Sequence, residues 1–198
     1  MLFKKNKTRG GRLRGANLFD YLATEYGSGS HLICRNVVSK ISPVIQAEWG
    51  GANDCSLCSV MVVGAFHEGY ARSFDELYND VVKVADKYFY SPNKFSTIPI
   101  FINNIINRVF NVKSEKKYLK GIGFSWKTIK NNIDNGVPMI LSVYNDGRNY
   151  YMNHSVVLVG YMEYSHGAQM LVVFDNWSKE TSFIDYKRMS RISCLNYF

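Results

Sequence analysis

No run in these 198 residues approaches the roughly 18 consecutive apolar positions that a membrane-spanning helix needs. The N-terminus is basic but has no apolar segment behind it, so it does not read as a secretory signal peptide. Secretion, delivery to a target cell and residence in the cytoplasm all stay open. Gly-rich phosphate loops and dinucleotide fingerprints are missing, so no cofactor is implied. His31, His67 and His166 lack metal-ligand spacing to a cysteine or to another histidine, so no metal is expected either. Only four cysteines occur (Cys34, Cys55, Cys58 and Cys194), and they follow no small-scaffold disulfide spacing. A chain of this length needs no such staples, and they read as mostly free thiols. There is no internal repeat and no low-complexity linker.

Acidic residues are absent until Asp20, whereas Lys4, Lys5, Lys7, Arg9, Arg12 and Arg14 precede it. Those six cations account for most of the net charge of +8, so the rest of the chain is nearly neutral. Residues 1–15 therefore read as a basic, flexible arm and 16–198 as a single domain. Through residues 4–14 the arm could make weak contact with an anionic surface such as nucleic acid, lipid or a cell-wall polymer. The preferred reading is a solvated leader, because chain termini are usually loose. What is abundant is apolar and aromatic: 46% hydrophobic residues, with 14 Tyr and 12 Phe, enough for a sizeable core. That aromatic load favours strands and clefts over a Leu-rich bundle.

Periodicity divides the chain in two. Ala16 to Tyr26 has helical spacing and stops at Gly27. His31 to Gln46 is a short β-branched stretch interrupted by Pro43, and Trp49 to Asp54 is a loop. Cys55 to His67 reads as a buried helix capped by Asn53 or Asp54, with Gly64 a weak interruption. Ser73 to Tyr90 opens on a capping box, and Pro99 to Phe110 and Trp126 to Asn135 complete the helices, the last closed by Gly136. After Gly136 come four short strands, Pro138 to Val143, His154 to Tyr161, Met170 to Phe174 and Ser182 to Tyr186, with Arg191 to Phe198 a possible fifth. Helices first and strands last predict an α+β fold with an antiparallel sheet against the helical part.

Three segments carry chemistry. A thiol becomes a nucleophile when held as thiolate, and a helix N-terminus helps by aiming unpaired N–H groups at it. Cys55 has that position, while Cys58, one turn further in, points to the core. The same pattern also suits a small buried side chain. Asp54 reads as a helix cap, since a carboxylate beside the nucleophile would oppose the thiolate. His154 begins an apolar strand, a rigid mount open to a cleft, as a general base requires. Asp175 and Asn176 end the next apolar strand. A hairpin would bring them to His154, where either could accept the imidazole N–H while Trp177 shields the bond. Each also suits a strand-end turn.

Asn153-His154-Ser155-Val156-Val157-Leu158-Val159-Gly160-Tyr161 resembles the histidine segment of papain-like cysteine peptidases, Asn/Asp-His-Ala-Val-x-x-Val-Gly-Tyr. Cys55-Ser56-Leu57-Cys58 resembles their Cys-Gly-Ser-Cys, and Asp175-Asn176-Trp177 their Asn-Ser-Trp. In layout the chain is closest to bacterial peptidases akin to the bacteriocin-leader-processing (double-glycine) enzymes. The resemblance covers about Gln46 to Asp185. It implies a papain-like fold and a polypeptide substrate, with Cys55, His154 and Asp175 as triad and Asn176 and Trp177 in support. The family's oxyanion glutamine falls on Gln46, further upstream than usual, with Asn53 the alternative. Tyr150, Tyr151 and Trp49 are candidate subsite walls. Ser56-Leu57 departs from the family's Gly-Ser or Gly-Pro. A cell-wall amidopeptidase of similar fold and a non-catalytic binding domain are the rival readings; nucleic-acid binding through the arm is a third.

Overall fold

The computed structural model describes residues 13–49, 54–88, 90, 97–144, 151 and 153–198. The basic residues from Lys4 to Arg12, the Gly50 to Asn53 loop and Tyr150 lie outside the described residues.

The helices form where apolar spacing and capping residues place them. α1 (Gly15–Tyr26) buries Leu18, Tyr21 and Leu22 and stops at Gly27. α2 (Cys55–His67) is buried from Cys55 to Ala65, so it is apolar all round, as a helix enclosed on every side must be. Gly64 is no weak point within it. A Cβ there would lie 1.9 Å from the Phe110 ring, so glycine is what allows the next helices to come so close. α3 (Phe74–Ala85) opens on the expected capping box, in which Ser73 and Glu76 bond each other's backbone N–H. It gives way to a 3-10 turn at Asp86–Tyr88, earlier than the predicted Tyr90. Pro99–Phe101 forms a 3-10 turn that leads into α4 (Ile102–Phe110). α5 (Trp126–Asp134) is capped by Ser125.

The strands are β1 (Leu32–Val37), β2 (Glu115–Tyr118), β3 (Met139–Val143), β4 (His154–Tyr164), β5 (Gln169–Phe174), β6 (Thr181–Asp185) and β7 (Ser193–Tyr197). They form one antiparallel sheet in the order β2-β7-β3-β4-β5-β6, with β1 also paired to β4. Two of them break the expected division into helices and then strands. β1 precedes α2, and β2 separates α4 from α5. β2 reads Glu-Lys-Lys-Tyr and has no apolar alternation to announce it; pairing with β7 at the sheet edge makes it a strand. Charged residues suit such an edge, because they discourage pairing with another chain.

The long strand β4 organises the whole. Its first half pairs with β3, and from Gly160 onward β1 takes over that side. A Cβ at Gly160 would lie 2.6 Å from the Asn36 carbonyl oxygen, so the changeover requires glycine. Alternate β4 side chains enter opposite cores. Val157 and Val159 join Leu57, Val60 and Met61 of α2 on one face, whereas Val156 and Leu158 join Ile129 and Ile133 of α5 on the other. The architecture is α+β, with α2 laid across β3 and β4. No helix among the described residues is long and apolar enough to cross a membrane.

Candidate active site

Cys55 is the first residue of α2 and His154 the first of β4. Because α2 lies on β3 and β4, the two element starts meet. Cys55 and His154 line one cavity of about 190 Å³ and are only 7% and 6% exposed. Burial pushes the Cys55 thiol up from its ordinary value, and the neighbouring Asp54 charge adds to the rise. Hydrogen bonds from the Ser155 backbone and from the Ser56 side chain and backbone pull the other way. Cys58, with no exposure, is pushed up by burial as well.

The His154 ring is held by its far nitrogen. Nε2 lies 2.7 Å from the backbone carbonyl oxygen of Asp175. A carbonyl only accepts, so Nε2 carries the proton and Nδ1 of the neutral ring is left as the basic nitrogen. Trp177 stacks on the ring at 4.3 Å between centroids and Tyr151 at 5.1 Å. The Asp175 carboxylate is fully buried. Its Oδ1 accepts from the Trp177 N–H at 3.0 Å and its Oδ2 from the Ser182 hydroxyl at 3.0 Å.

Asn176 has a left-handed backbone, φ 59°, which asparagine tolerates better than most residues. Its side-chain amide donates to the Cys55 carbonyl at 3.1 Å, to Ser59 Oγ at 2.8 Å and to the Ser155 carbonyl at 3.2 Å. One side chain thus ties the nucleophile helix to the histidine strand. The main-chain carbonyl of Asn176 accepts from the Gln46 N–H at 2.7 Å. Gln46, in a 3-10 turn (Gln46–Glu48), is buried and anchored to the site by its main chain, but it does not line the Cys55–His154 cavity. Asn53, the alternative donor, lies outside the described residues.

Asp54 overturns its reading as a cap. It stands at the N-cap position, but its side chain makes no capping bond. The carboxylate is fully buried and accepts from the Tyr78 hydroxyl at 2.8 Å and the Tyr90 hydroxyl at 2.5 Å. Both phenols are pushed up, chiefly by burial and then by Asp54 itself. The competition is decided by packing, because the buried Tyr90 and half-buried Tyr78 hydroxyls need an acceptor and the carboxylate satisfies both.

Other expected participants do packing work. Tyr151 is 1% exposed and stacks on His154 and Trp177 instead of forming an open wall. Trp49 packs on Phe74 and Tyr78. His67 stacks on Phe198 and His166 bonds the Tyr26 carbonyl, both away from the cavity. Among the described residues no three His, Cys, Asp or Glu side chains group as metal ligands would.

What the sequence reading passed over is a line of hydroxyls. Ser56 Oγ lies 3.1 Å from Ser155 Oγ, which lies 2.8 Å from Ser142 Oγ, and all three residues line the cavity. Their only signal was that Ser56 and Ser155 stand where the resembling motifs have Gly and Ala.

The model of the Peptidase_C39 like family matches residues 38–193. Among solved structures, one similar to this chain is the Amb a 11 cysteine protease, a major ragweed pollen allergen, in its proform. It is 12% identical, with a TM-score of 0.44 over 90% of this chain and 72% of that one. No curated protein matches.

Proposed function

The chain belongs to the Peptidase_C39 like family, a family of cysteine hydrolases, and we propose that it hydrolyses peptide bonds with Cys55 as nucleophile, His154 as base and Asp175 as the residue that orients the base. The observation that carries this reading is the cavity shared by Cys55 and His154, with the Nε2–H of His154 committed to the Asp175 carbonyl.

In this mechanism Nδ1 of His154 takes the Cys55 proton and the thiolate attacks the carbonyl carbon of a bound polypeptide. As the C–S bond forms, the carbonyl electron pair moves onto oxygen. The Cys55 backbone N–H and Gln46 are the assigned oxyanion donors, each worth about 3 kcal/mol of transition-state stabilisation. The imidazolium gives its proton to the departing amine, leaving a thioester. His154 then deprotonates water, which attacks the thioester and releases the acid and the thiol. Trp177 covers the His154–Asp175 bond and Asn176 keeps Cys55 and His154 in register. Leu13 is buried and bridges to Phe183, and Arg14 bonds Glu180, so these two residues go with the body and not with the arm. Residues 13–198 act as one catalytic unit, and residues 4–12 serve as a basic arm for weak contact with an anionic surface.

The test is stoichiometric alkylation by iodoacetamide in mildly acidic buffer, comparing wild type with Cys55→Ala and His154→Ala and mapping the labelled peptide. Cys55 should label fastest and depend on His154. A Cys55 that is inert, or no faster than the partly exposed Cys34, would overturn the reading.

A further inference from the structure

The cavity beside Cys55 and His154 is not a plain apolar slot. Its lining includes the apolar Ile98, Pro99 and Val143 and the hydroxyl-bearing Ser56, Ser155 and Ser142. Thr97 adds a fourth. It lines the cavity, is 2% exposed, and its Oγ1 has no hydrogen-bond partner among the described residues. A buried hydroxyl left without a partner costs free energy, so such a group in a cavity wall marks a place where a ligand atom completes the bonding. The serine line points the same way. Each hydroxyl can donate once and accept twice. The two contacts of the line use two acceptor sites among three oxygens, leaving acceptor capacity on residues that line the cavity.

Size does not decide what enters. At about 190 Å³ the cavity exceeds the ~150 Å³ that holds a benzene-sized molecule. Polarity decides. Among the described residues, and apart from Cys55 and His154 themselves, the phenol of Tyr144 is the one ionisable side chain in the lining. An ionic substrate side chain would therefore be desolvated without a counter-charge. A purely apolar one would leave the Thr97 hydroxyl without a partner and the spare acceptor capacity of the serine line unused. An uncharged side chain that both donates and accepts satisfies both.

We propose that this cavity is the specificity pocket of the peptidase and that it takes an uncharged, hydrogen-bonding side chain such as Ser, Thr or Asn beside the scissile bond, read by Thr97 Oγ1 and the Ser142–Ser155–Ser56 hydroxyls. This rests on the peptidase reading above. The principle that sets the expected size of the effect is that a site built to bond a hydroxyl or amide discriminates strongly against analogues without one.

The experiment measures how fast peptidyl vinyl sulfones capture Cys55 in the full chain, each rate divided by that of iodoacetamide in the same preparation. The probes carry Asn, Thr, Leu, Phe or Lys, in turn at the first and the second residue before the electrophile. At one of these positions Asn and Thr should lead the others by at least tenfold. Thr97→Val, which keeps the side-chain volume and removes the hydroxyl, and Ser142→Ala should each cut that lead severalfold. Equal rates, a lead for Leu, Phe or Lys, or a lead undiminished in both variants overturns the proposal. If Cys55 reacts with iodoacetamide and the probe rates are flat, the pocket assignment alone fails. If Cys55 resists iodoacetamide as well, the peptidase reading fails with it.

Discussion

The imidazole of His154 is anchored to the main chain of Asp175: Nε2 lies 2.7 Å from that residue's carbonyl oxygen, while the carboxylate accepts from Trp177 and Ser182. A backbone acceptor fixes the ring tautomer without needing a charge, which changes what substitution at Asp175 should do.

Asp175→Asn should therefore be mild. Where a triad carboxylate itself holds the ring, the amide lowers kcat about 10,000-fold by enforcing the wrong tautomer. Here the carbonyl remains, and the expected loss of kcat on a peptide substrate is under about 100-fold by the same comparison. A fall near the larger figure would show that the carboxylate, not the main chain, orients His154.

The pH dependence of Cys55 alkylation should separate thiol from thiolate–imidazolium pair. Burial raises the folded thiol, so without a partner the thiolate forms only as pH rises past its ordinary value of about 8.5. Wild type should react at neutral pH and below, and His154→Ala only on the alkaline side. Superimposable rate–pH profiles would leave His154 no part in activating Cys55.

Asn176→Gly isolates the side-chain clamp, because glycine accepts the positive φ and loses only the amide. Removing bonds to three buried acceptors should lower unfolding stability by about 2–4 kcal/mol. Denaturant unfolding measures it, and a change under about 0.5 kcal/mol, the level of a neutral surface substitution, would deny the clamp.

Gly64→Ala should destabilise although alanine is the better helix former. The new Cβ would overlap the Phe110 ring, at a cost of about 1–3 kcal/mol against a helical gain of about 1 kcal/mol. Combining it with Phe110→Leu should recover part of the loss. If the two losses add independently in thermal melts, the close approach is not the cause.

Glu163 accepts from Lys130 and from the Trp126 indole, and the Lys130 contact holds its carboxyl below the usual value. A depressed folded value means stability that is present above the unfolded value of about 4.3 and lost as pH falls through the folded one. The pair is partly exposed, so the effect is modest and weakened by salt. Glu163→Gln should flatten the stability–pH curve below that value. An unchanged acid limb would assign it to other carboxylates.

The sequence by itself determined the elements whose cause is local. α2 begins at Cys55 and ends at His67 because an apolar run lies between polar joints, α3 begins where Ser73 and Glu76 can close a capping box, and β3 to β6 follow β-branched runs. It also put a cysteine at a helix start and a histidine at a strand start. Tertiary structure decided everything that depends on a distant partner. β2 is a strand only because β7 lies beside it, and Asp54 turns from its helix to two tyrosines because they are buried within reach. Asn176 reaches three acceptors on two elements, and Ser56 finds Ser155 and Ser142 across the contact between helix and sheet. A polar side chain bonds whatever packing brings near it, and sequence spacing carries no record of that distance.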